Sequence, residues 1–185
     1  MPTSLVFTGH MVDLPGRPEP RFPPSLEKAV ESRIARALER FAPGSEGDND
    51  ARGFASAARG GDILFHEQCR RLGIPTAILL PFAPDDFVAA SVGGDWTERF
   101  WSLWNATPAA DRETMNLPVA DAGAYGECNI RILERARAYG RLHLIALWDG
   151  KSGDGPGGAQ DMVNRAGAWD APDVFSPASV SAPER

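Results

Sequence analysis

Cysteine and histidine are scarce in this chain of 185 residues, which contains two cysteines and three histidines. Cys69 and Cys128 cannot form a disulfide framework, and no cluster of His and Cys has the spacing of a zinc site. We therefore expect no bound metal. Neither cysteine has an evident histidine partner in the sequence, and the G-x-S-x-G motif of many serine hydrolases is absent.

Basic charge and long apolar runs are lacking as well. The formal net charge of −6 argues against nucleic-acid binding through a basic face, because phosphate neutralisation needs clustered Lys and Arg. No apolar run is long enough to span a bilayer, and Met1–Gly9 lacks the charged start and long apolar stretch of a secretion signal. We expect a cytoplasmic protein without a nucleic-acid or membrane partner.

What the chain does contain is an alternation of short apolar runs and helical patterns. Strands are predicted at Leu5–Phe7, Gly53–Ser56, Thr76–Leu80, Leu142–Trp148 and Asp173–Phe175. Helices are predicted at Leu26–Phe41, Asp62–Leu72, Pro84–Asn105, Ala122–Tyr139 and Ala159–Ala168, with irregular segments at Met11–Pro24 and Thr107–Asp121. This pattern indicates an α/β, Rossmann-like fold, with a mostly parallel sheet and helices on both faces. We expect one domain over residues 1–176 and a flexible tail over 177–185.

Three loops that follow predicted strands are rich in small residues, namely Thr8–His10, Ser56–Asp62 and Asp149–Gly158. In an open parallel sheet such loops converge on one crevice, and ligands bind there. Glycines let a ligand approach the backbone closely, and a helix start adds partial positive charge. We expect the turns around Arg59 and Gly157 to share a hollow that holds an anion; tight turns without a ligand are the alternative. Neither the Walker motif nor the dinucleotide fingerprint is present.

Polar and aromatic side chains near these loops are further candidates. Arg17, Arg21 and Arg59 could each meet a phosphate, although surface solvation is the alternative for all three. Asp62 is expected to cap the following helix. Asp149 could accept a hydrogen bond from a sugar or a base, or instead cap the turn that follows it. Trp96, Trp101 and Trp104 are most simply packing residues, but one of them, or Phe82, could stack on a base.

Four segments together resemble a known family. They are Thr8-Gly9-His10, Ala58-Arg59-Gly60-Gly61-Asp62, Leu80-Pro81-Phe82 and Gly157-Gly158. From about Leu5 to Ala168, the chain resembles the SLOG superfamily, which joins the DprA-like, YpsA-like and LOG-type Rossmannoid domains. The resemblance implies a nucleotide-binding or nucleotide-processing domain with its ligand over the two glycine loops. In the LOG branch, the implied reaction is cleavage of the N-glycosidic bond of a nucleoside monophosphate.

The resemblance also implies roles for individual residues. Gly9 and His10 would line the pocket floor, Ser56, Arg59 and Gly60 would form the first glycine loop, and Gly157 and Gly158 would cradle the phosphate. With the candidates from the loops, the predicted ligand-binding residues are Gly9, His10, Arg17, Ser56, Arg59, Gly60, Asp62, Phe82, Asp149, Gly150, Gly157 and Gly158.

The LOG phosphate motif, P-G-G-x-G-T-x-x-E, is matched only in part. Ala159 stands where the family has threonine, so a hydroxyl donor is lost. Met162 stands where the family has its catalytic glutamate, and a thioether cannot act as acid or base. Asp161 is one residue away, which on a helix turns it by about 100°. Binding through backbone N–H groups does not depend on these side chains.

Three functions are therefore open from the sequence. The leading one is a module that binds or senses a nucleotide or nucleotide derivative. We expect no other cofactor or ligand. The second is a hydrolase of the glycosidic or phosphate bond of a nucleotide, with Glu67, Asp62 or Asp149 as general base. The third is an oligomerisation module, such as a homodimer formed through the tryptophan-rich segment Trp96–Trp104.

Overall fold

A computed structural model describes residues 2–45, 50–152, 157–167 and 172–180. The strands in these ranges are β1 (Thr3–Gly9), β2 (Ala51–Ala55), β3 (Thr76–Leu80), β4 (Arg112–Thr114), β5 (Arg141–Leu147) and β6 (Asp173–Phe175). The α-helices are α1 (Glu27–Glu39), α2 (Gly61–Arg71), α3 (Pro84–Phe87), α4 (Trp96–Ala106), α5 (Ala124–Tyr139) and α6 (Ala159–Ala166). A π-helix follows α3 at Val88–Val92. None of the helices described is long and apolar enough to cross a membrane.

The strands form one parallel sheet in the order β4-β3-β2-β1-β5-β6. β1 lies inside the sheet and pairs with β5 along its whole length, from Thr3 opposite Arg141 to Gly9 opposite Leu147. The chain runs outward from β1 to β4 and then returns through α5 to the other side of β1. A topological switch point therefore lies between β1 and β5, and the predicted α/β, Rossmann-like fold is confirmed.

Helices cover both faces of this sheet. α1 and α2 pack on one face, where Phe65 of α2 contacts the core around Leu5 and Phe7. α5 and α6 pack on the other face, where the core contains Val6 and Ile132. Successive β1 side chains point to opposite faces, and all of them are buried. This double burial explains why the central strands are continuous apolar runs in the sequence.

Several predicted boundaries need correction. The segment 107–121, predicted to be irregular, contains edge strand β4, whose residues Arg112, Glu113 and Thr114 form a strand because they pair with β3. The predicted helix Pro84–Asn105 is interrupted, since Gly93 and Gly94 have φ of 65° and 52°. The chain continues past the expected domain end at 176 as a short 3-10 helix, Pro177–Val180. Parts of three predicted segments lie outside the described residues. They are residues 153–156 of the glycine-rich loop, Ala168 at the predicted end of the last helix, and residues 181–185 of the predicted tail.

The segment between β1 and α1 is a loop closed by one carboxylate. Asp13 Oδ2 accepts hydrogen bonds from the backbone N–H groups of Arg21 and Phe22, at 2.8 and 2.9 Å. Phe22 is fully buried and anchors the loop. Near its beginning the loop crosses the start of α2, where Met11 forms an isolated antiparallel bridge with Gly60.

Gly60 is required for this crossing. Its φ is +94°, and a Cβ atom added there would lie 2.5 Å from the backbone nitrogen of Val12. Gly16, at the tip of the same loop, also has a positive φ, +82°, but a Cβ there would meet no atom within 4 Å. The two glycines therefore share a backbone conformation that would strain any residue with a side chain, but they differ in available space.

We expect Gly60→Ala to lower the free energy of unfolding by about 3 kcal/mol, because backbone strain and a clash with another backbone add together. Gly16→Ala, the matched control, carries only the strain and should lower it by ~1 kcal/mol. Urea unfolding followed by circular dichroism measures both. Equal effects of the two substitutions would show that the close crossing of Val12 and Gly60 does not exist.

Candidate functional site

A cavity of about 250 Å³ opens at the carboxyl ends of β1, β2 and β5, beside the switch point. Gly9 and His10 line it from the end of β1, and Ser56 from the end of β2. The π-helix, α5 and the start of α6 supply further parts of the wall. The cavity thus lies where open parallel sheets generally bind their ligands.

Both glycine turns contribute to this one cavity. Ala58 and Asp62 line it from the turn that leads into α2, while Gly157 and Gly158 line it from the turn that leads into α6. The first helical hydrogen bonds are donated by Leu64 in α2 and by Met162 in α6. The residues that precede Leu64 and Met162 in these two helices have backbone N–H groups with no carbonyl acceptor in the same helix.

The second turn lies directly against α5. Gly157 has a φ of +88°, and a Cβ atom there would fall 2.3 Å from Cβ of Tyr125. On the same helix, Asn129 donates through Nδ2 to the Gly157 carbonyl at 3.0 Å and to Asp161 Oδ2 at 2.9 Å. α5 therefore fixes the position of the turn, and a residue with a side chain does not fit at 157.

Asp62 is the one carboxylate among the described residues that line the cavity. It is only 9% exposed, and its Oδ2 accepts a hydrogen bond from the Ala58 N–H at 3.2 Å. Burial raises the pKa of this carboxyl to about 7. The predicted capping role is wrong in detail, since Gly60 is the N-cap residue and Asp62 lies in the first turn of α2.

Ser56 places a second polar group in the cavity. Its Oγ is buried and has no hydrogen-bond partner among the described residues. Its carbonyl is paired with Nε2 of His66 at 2.8 Å. Burial lowers the pKa of His66 to about 4, so that this ring is neutral near pH 7 and has a structural role.

An aromatic and partly apolar wall was missed by the sequence analysis. Tyr125 on α5 shares a 2.6 Å hydrogen bond with Ser91 of the π-helix, and Phe87 lines the same side. Trp148 lines the cavity from the end of β5, and its Nε1 donates to the Lys151 carbonyl. Such surfaces can pack against a planar ring.

A polar cluster forms at the rim. Asp149 forms an ion pair with Arg21 at 3.3 Å and accepts a hydrogen bond from the Lys151 N–H at 3.0 Å. Nε2 of His10 lies 3.3 Å from the Asp149 carboxylate and 3.2 Å from the Asp149 backbone nitrogen. Partial burial raises the pKa of Asp149, but the Lys151 N–H and the charges of His10 and Arg21 lower it more, so the net shift is downward. Asp149 therefore does cap the turn that follows it, which was one of its two predicted roles.

Other candidates lie outside the cavity wall. The Arg59 guanidinium donates to the Val12 carbonyl at 3.1 Å, and Arg17 donates to the Glu19 carbonyl at 3.0 Å. The Phe82 ring packs edge-on against Tyr125 with centroids 5.4 Å apart, so Tyr125 is the ring at the wall. Both carboxylate oxygens of Glu67 accept hydrogen bonds from Arg99, at 2.8 and 2.6 Å, away from the cavity.

The predicted residues thus divide into two groups. The structure brings Gly9, His10, Ser56, Asp62, Gly157 and Gly158 together around the cavity. The residues that do not line it are Arg17, Arg59, Gly60, Phe82, Glu67, Asp149 and Gly150. Ligand contacts by any of these residues stay predictions.

Two further groups bear on catalysis. Met162, at the position that the resemblance gives to a catalytic glutamate, is buried and lines the cavity. Asp161 beside it forms a 2.7 Å ion pair with Arg165. Burial raises the pKa of the Cys128 thiol, also at the cavity, to about 12, so it is not a thiolate at neutral pH. Asp62 and His10 are therefore the acid or base candidates that the described walls offer.

Comparison with known proteins gives no further assignment. No protein-family model matches the chain, and no curated protein matches it in sequence. In the described ranges, no three side chains of His, Cys, Asp or Glu are grouped so that they could hold a metal ion. The geometry of the cavity is therefore the main indication of function.

We expect Asp62→Asn to be more stable than wild type above neutral pH. Because the pKa of Asp62 in the folded protein, about 7, exceeds its ordinary value of 3.8, the stability contributed by the protonated form is lost as the pH rises between these values. Asn keeps the acceptor for Ala58 N–H but never ionises. The free energy of unfolding of Asp62→Asn should exceed that of wild type by an amount that grows with pH and reaches about 2 kcal/mol at pH 8.

Urea unfolding at pH 5 and pH 8 measures this gain. Asp85→Asn is the matched control, because Asp85 is an exposed carboxylate in the first turn of α3. It should change stability by less than about 0.5 kcal/mol at both pH values. A gain for Asp62→Asn that shrinks with rising pH would contradict a buried carboxyl with a raised pKa.

Proposed function

We propose that this protein binds a nucleotide or nucleotide derivative in the cavity at the switch point. One observation carries the proposal: two glycine turns, each leading into a helix, line the same cavity. Two of the four SLOG-like segments that suggested a nucleotide ligand lie in these two turns. In this proposal the protein acts as a sensor, so that nucleotide binding in the cavity changes how the protein acts on other molecules.

The helix starts favour an anion. A helix start stabilises a neighbouring anion by about 0.3–1 kcal/mol, and by up to ~2 kcal/mol when partly buried. The start of α6 would therefore favour an anionic ligand over a neutral one by roughly fivefold or more, whereas the Asp62 carboxyl in the first turn of α2 offsets this attraction when it is ionised. Arg21, which also lines the cavity, adds positive charge beside its ion pair with Asp149.

The remaining walls favour a ligand larger than a free anion. Phe87, Tyr125 and Ile132 provide apolar and aromatic surface, while Ser56 and Asp62 provide polar atoms. A simple anion at one turn would leave these surfaces without a partner. A phosphate joined to a sugar and a planar base combines the chemistry that both kinds of wall require.

Hydrolysis of the bound nucleotide is a second candidate function. The observation that favours it is the buried Asp62 carboxyl, since a group with a pKa of about 7 can both give and take a proton near neutral pH. Release of free base or ribose phosphate that is lost in Asp62→Asn would support this function. Binding without any turnover would leave the sensor function alone.

The homodimer stays a prediction. Its proposed tryptophan surface is largely used within the chain, because Trp104 is buried against Phe100 and the Arg99 guanidinium lies 4.0 Å from the centre of the Trp96 ring. Little apolar surface of this segment is left for a partner. The cavity is therefore the stronger basis for a function.

We expect calorimetric titration with nucleoside mono- and diphosphates, cyclic nucleotides and ADP-ribose derivatives to reveal at least one ligand. Gln160→Glu should weaken its binding by about tenfold, because the substitution places a negative charge at the start of α6, where Gln160 lines the cavity. The substitution changes shape very little, and an acidic residue near a helix start favours folding.

Asn164→Asp is the matched control, since it adds the same charge at an exposed position one turn further along α6. It should change the affinity by less than about twofold. No response from any member of the panel, or equal effects of the two substitutions, would contradict the proposed site.

A further inference from the structure

The aromatic rings at the cavity differ in what already packs against them. Among the described residues, the Phe, Tyr and Trp rings at the wall are Phe7, Phe87, Tyr125 and Trp148. We propose that the Trp148 indole is the surface on which the base of the nucleotide stacks, so that the site selects bases by the area of their rings. This inference rests on the proposed function and deepens it by naming the residue that selects among ligands.

Three of the four rings already pack against other rings. Phe7 stacks on a neighbouring phenylalanine with centroids 5.0 Å apart, and Phe87 lies 6.0 Å from another. Both are buried. The Tyr125 ring has Phe82 edge-on at 5.4 Å. These rings are part of the protein's own packing, which leaves less of their surface for a ligand.

Trp148 differs from these three rings. It is half-buried, and in the described part of the chain no aromatic ring and no cation lies against its indole. Within the same residues it also lies outside the apolar core clusters. Trp148 thus gives the cavity a large ring that lacks a stacking partner in the protein, and a flat ligand group would supply one.

The Trp148 ring is also fixed in position. Its backbone N–H donates to the Phe175 carbonyl at 2.8 Å, which extends the pairing of β5 with β6, and its Nε1 donates to the Lys151 carbonyl at 2.8 Å. Side chains alternate between the faces of a strand, and Leu144, four residues earlier, packs on the face that α5 and α6 cover. A ring held in this way loses little conformational entropy when a ligand binds.

A second apolar side chain at the cavity is poorly covered by the protein. Met11 lines the cavity and is 40% exposed, although its backbone is fixed by the bridge to Gly60. A thioether packs favourably against an aromatic ring. Covering Met11 and Trp148 requires a flat apolar group, and the base is the part of a nucleotide that has one.

Stacking on an indole selects by ring area. Every base has a π-face, so a stacked base is bound without regard to the hydrogen-bonding groups at its edges. We therefore expect two-ring bases to bind more tightly than one-ring bases. Trp148 is the one tryptophan at the wall among the described residues, because the tryptophans considered from the sequence, Trp96, Trp101 and Trp104, do not line the cavity.

Calorimetric titrations with AMP, GMP, CMP and UMP test this inference. Wild type should bind the two purine nucleotides at least about threefold more tightly than the two pyrimidine nucleotides. Trp148→Leu keeps an apolar side chain but removes the ring, so it should weaken AMP binding by about tenfold and abolish the purine preference. Trp148→Phe keeps a ring and should lose less affinity than Trp148→Leu.

Trp101→Leu is the matched control. Trp101 packs edge-on against Phe100 and does not line the cavity. The same substitution there should change each of the four affinities by less than about twofold, because no ligand contact is removed.

Tryptophan fluorescence provides a direct measurement of stacking. A base that stacks on an indole quenches its emission, so AMP should quench part of the emission of wild type. The quenching should persist in Trp101→Phe and disappear in Trp148→Phe. Quenching that is unchanged in Trp148→Phe would overturn the inference.

Failure of this inference can be distinguished from failure of the proposed function. A wild type without purine preference, or a preference that persists in Trp148→Leu while all four nucleotides bind less tightly, would show that Trp148 supports its loop without contacting the base. Either result overturns the stacking and leaves nucleotide binding intact. No binding of these four nucleotides or of any member of the wider panel would overturn both.

Discussion

The parallel pairing of β1 with β5 is the constraint on which the rest of the molecule depends. It runs from Thr3 opposite Arg141 to Gly9 opposite Leu147 and places the carboxyl ends of both strands side by side. Because β2 pairs with β1 on its other side, three strand ends meet at one edge. The helices that follow or precede these strands pack on both faces, so their ends surround a hollow rather than fill it.

The site is stabilised by its surroundings rather than by its own contacts. Gly157 rests on Tyr125, and Asn129 holds its carbonyl, so α5 determines where the second turn lies. Asp62, in contrast, is held at a cost, because burial opposes its ionised form. Well-packed walls around an unfavourable polar group are typical of a binding site, where a ligand provides the missing interaction.

The sequence predicted most of the fold because its signals are local. Thr76–Leu80 was predicted with its observed bounds, since a buried apolar run between turn residues allows few alternatives. β4 was missed because Arg112, Glu113 and Thr114 become a strand only through pairing with β3. The position of the cavity could likewise be expected, because parallel strands bring their carboxyl ends together.

The side chains of the site were harder to predict. Arg59 is long enough to reach either a ligand or the Val12 carbonyl, and only the fold determines that it donates to the carbonyl. Tyr125 and Asn129 are four residues apart and both line the cavity from α5. A polar asparagine within an otherwise apolar helix face was the available signal, and its meaning depends on what packs against that face.

The most direct test of the shared cavity is a titration of the ¹⁵N-labelled protein with AMP, followed through the backbone amide signals. We expect the amide signals at both helix starts, Asp62 and Ile63 in α2 and Ala159 and Gln160 in α6, to shift together with one dissociation constant. Shifts confined to one of these turns, or shifts only at residues remote from the cavity, would contradict the claim that the two glycine turns form one binding site.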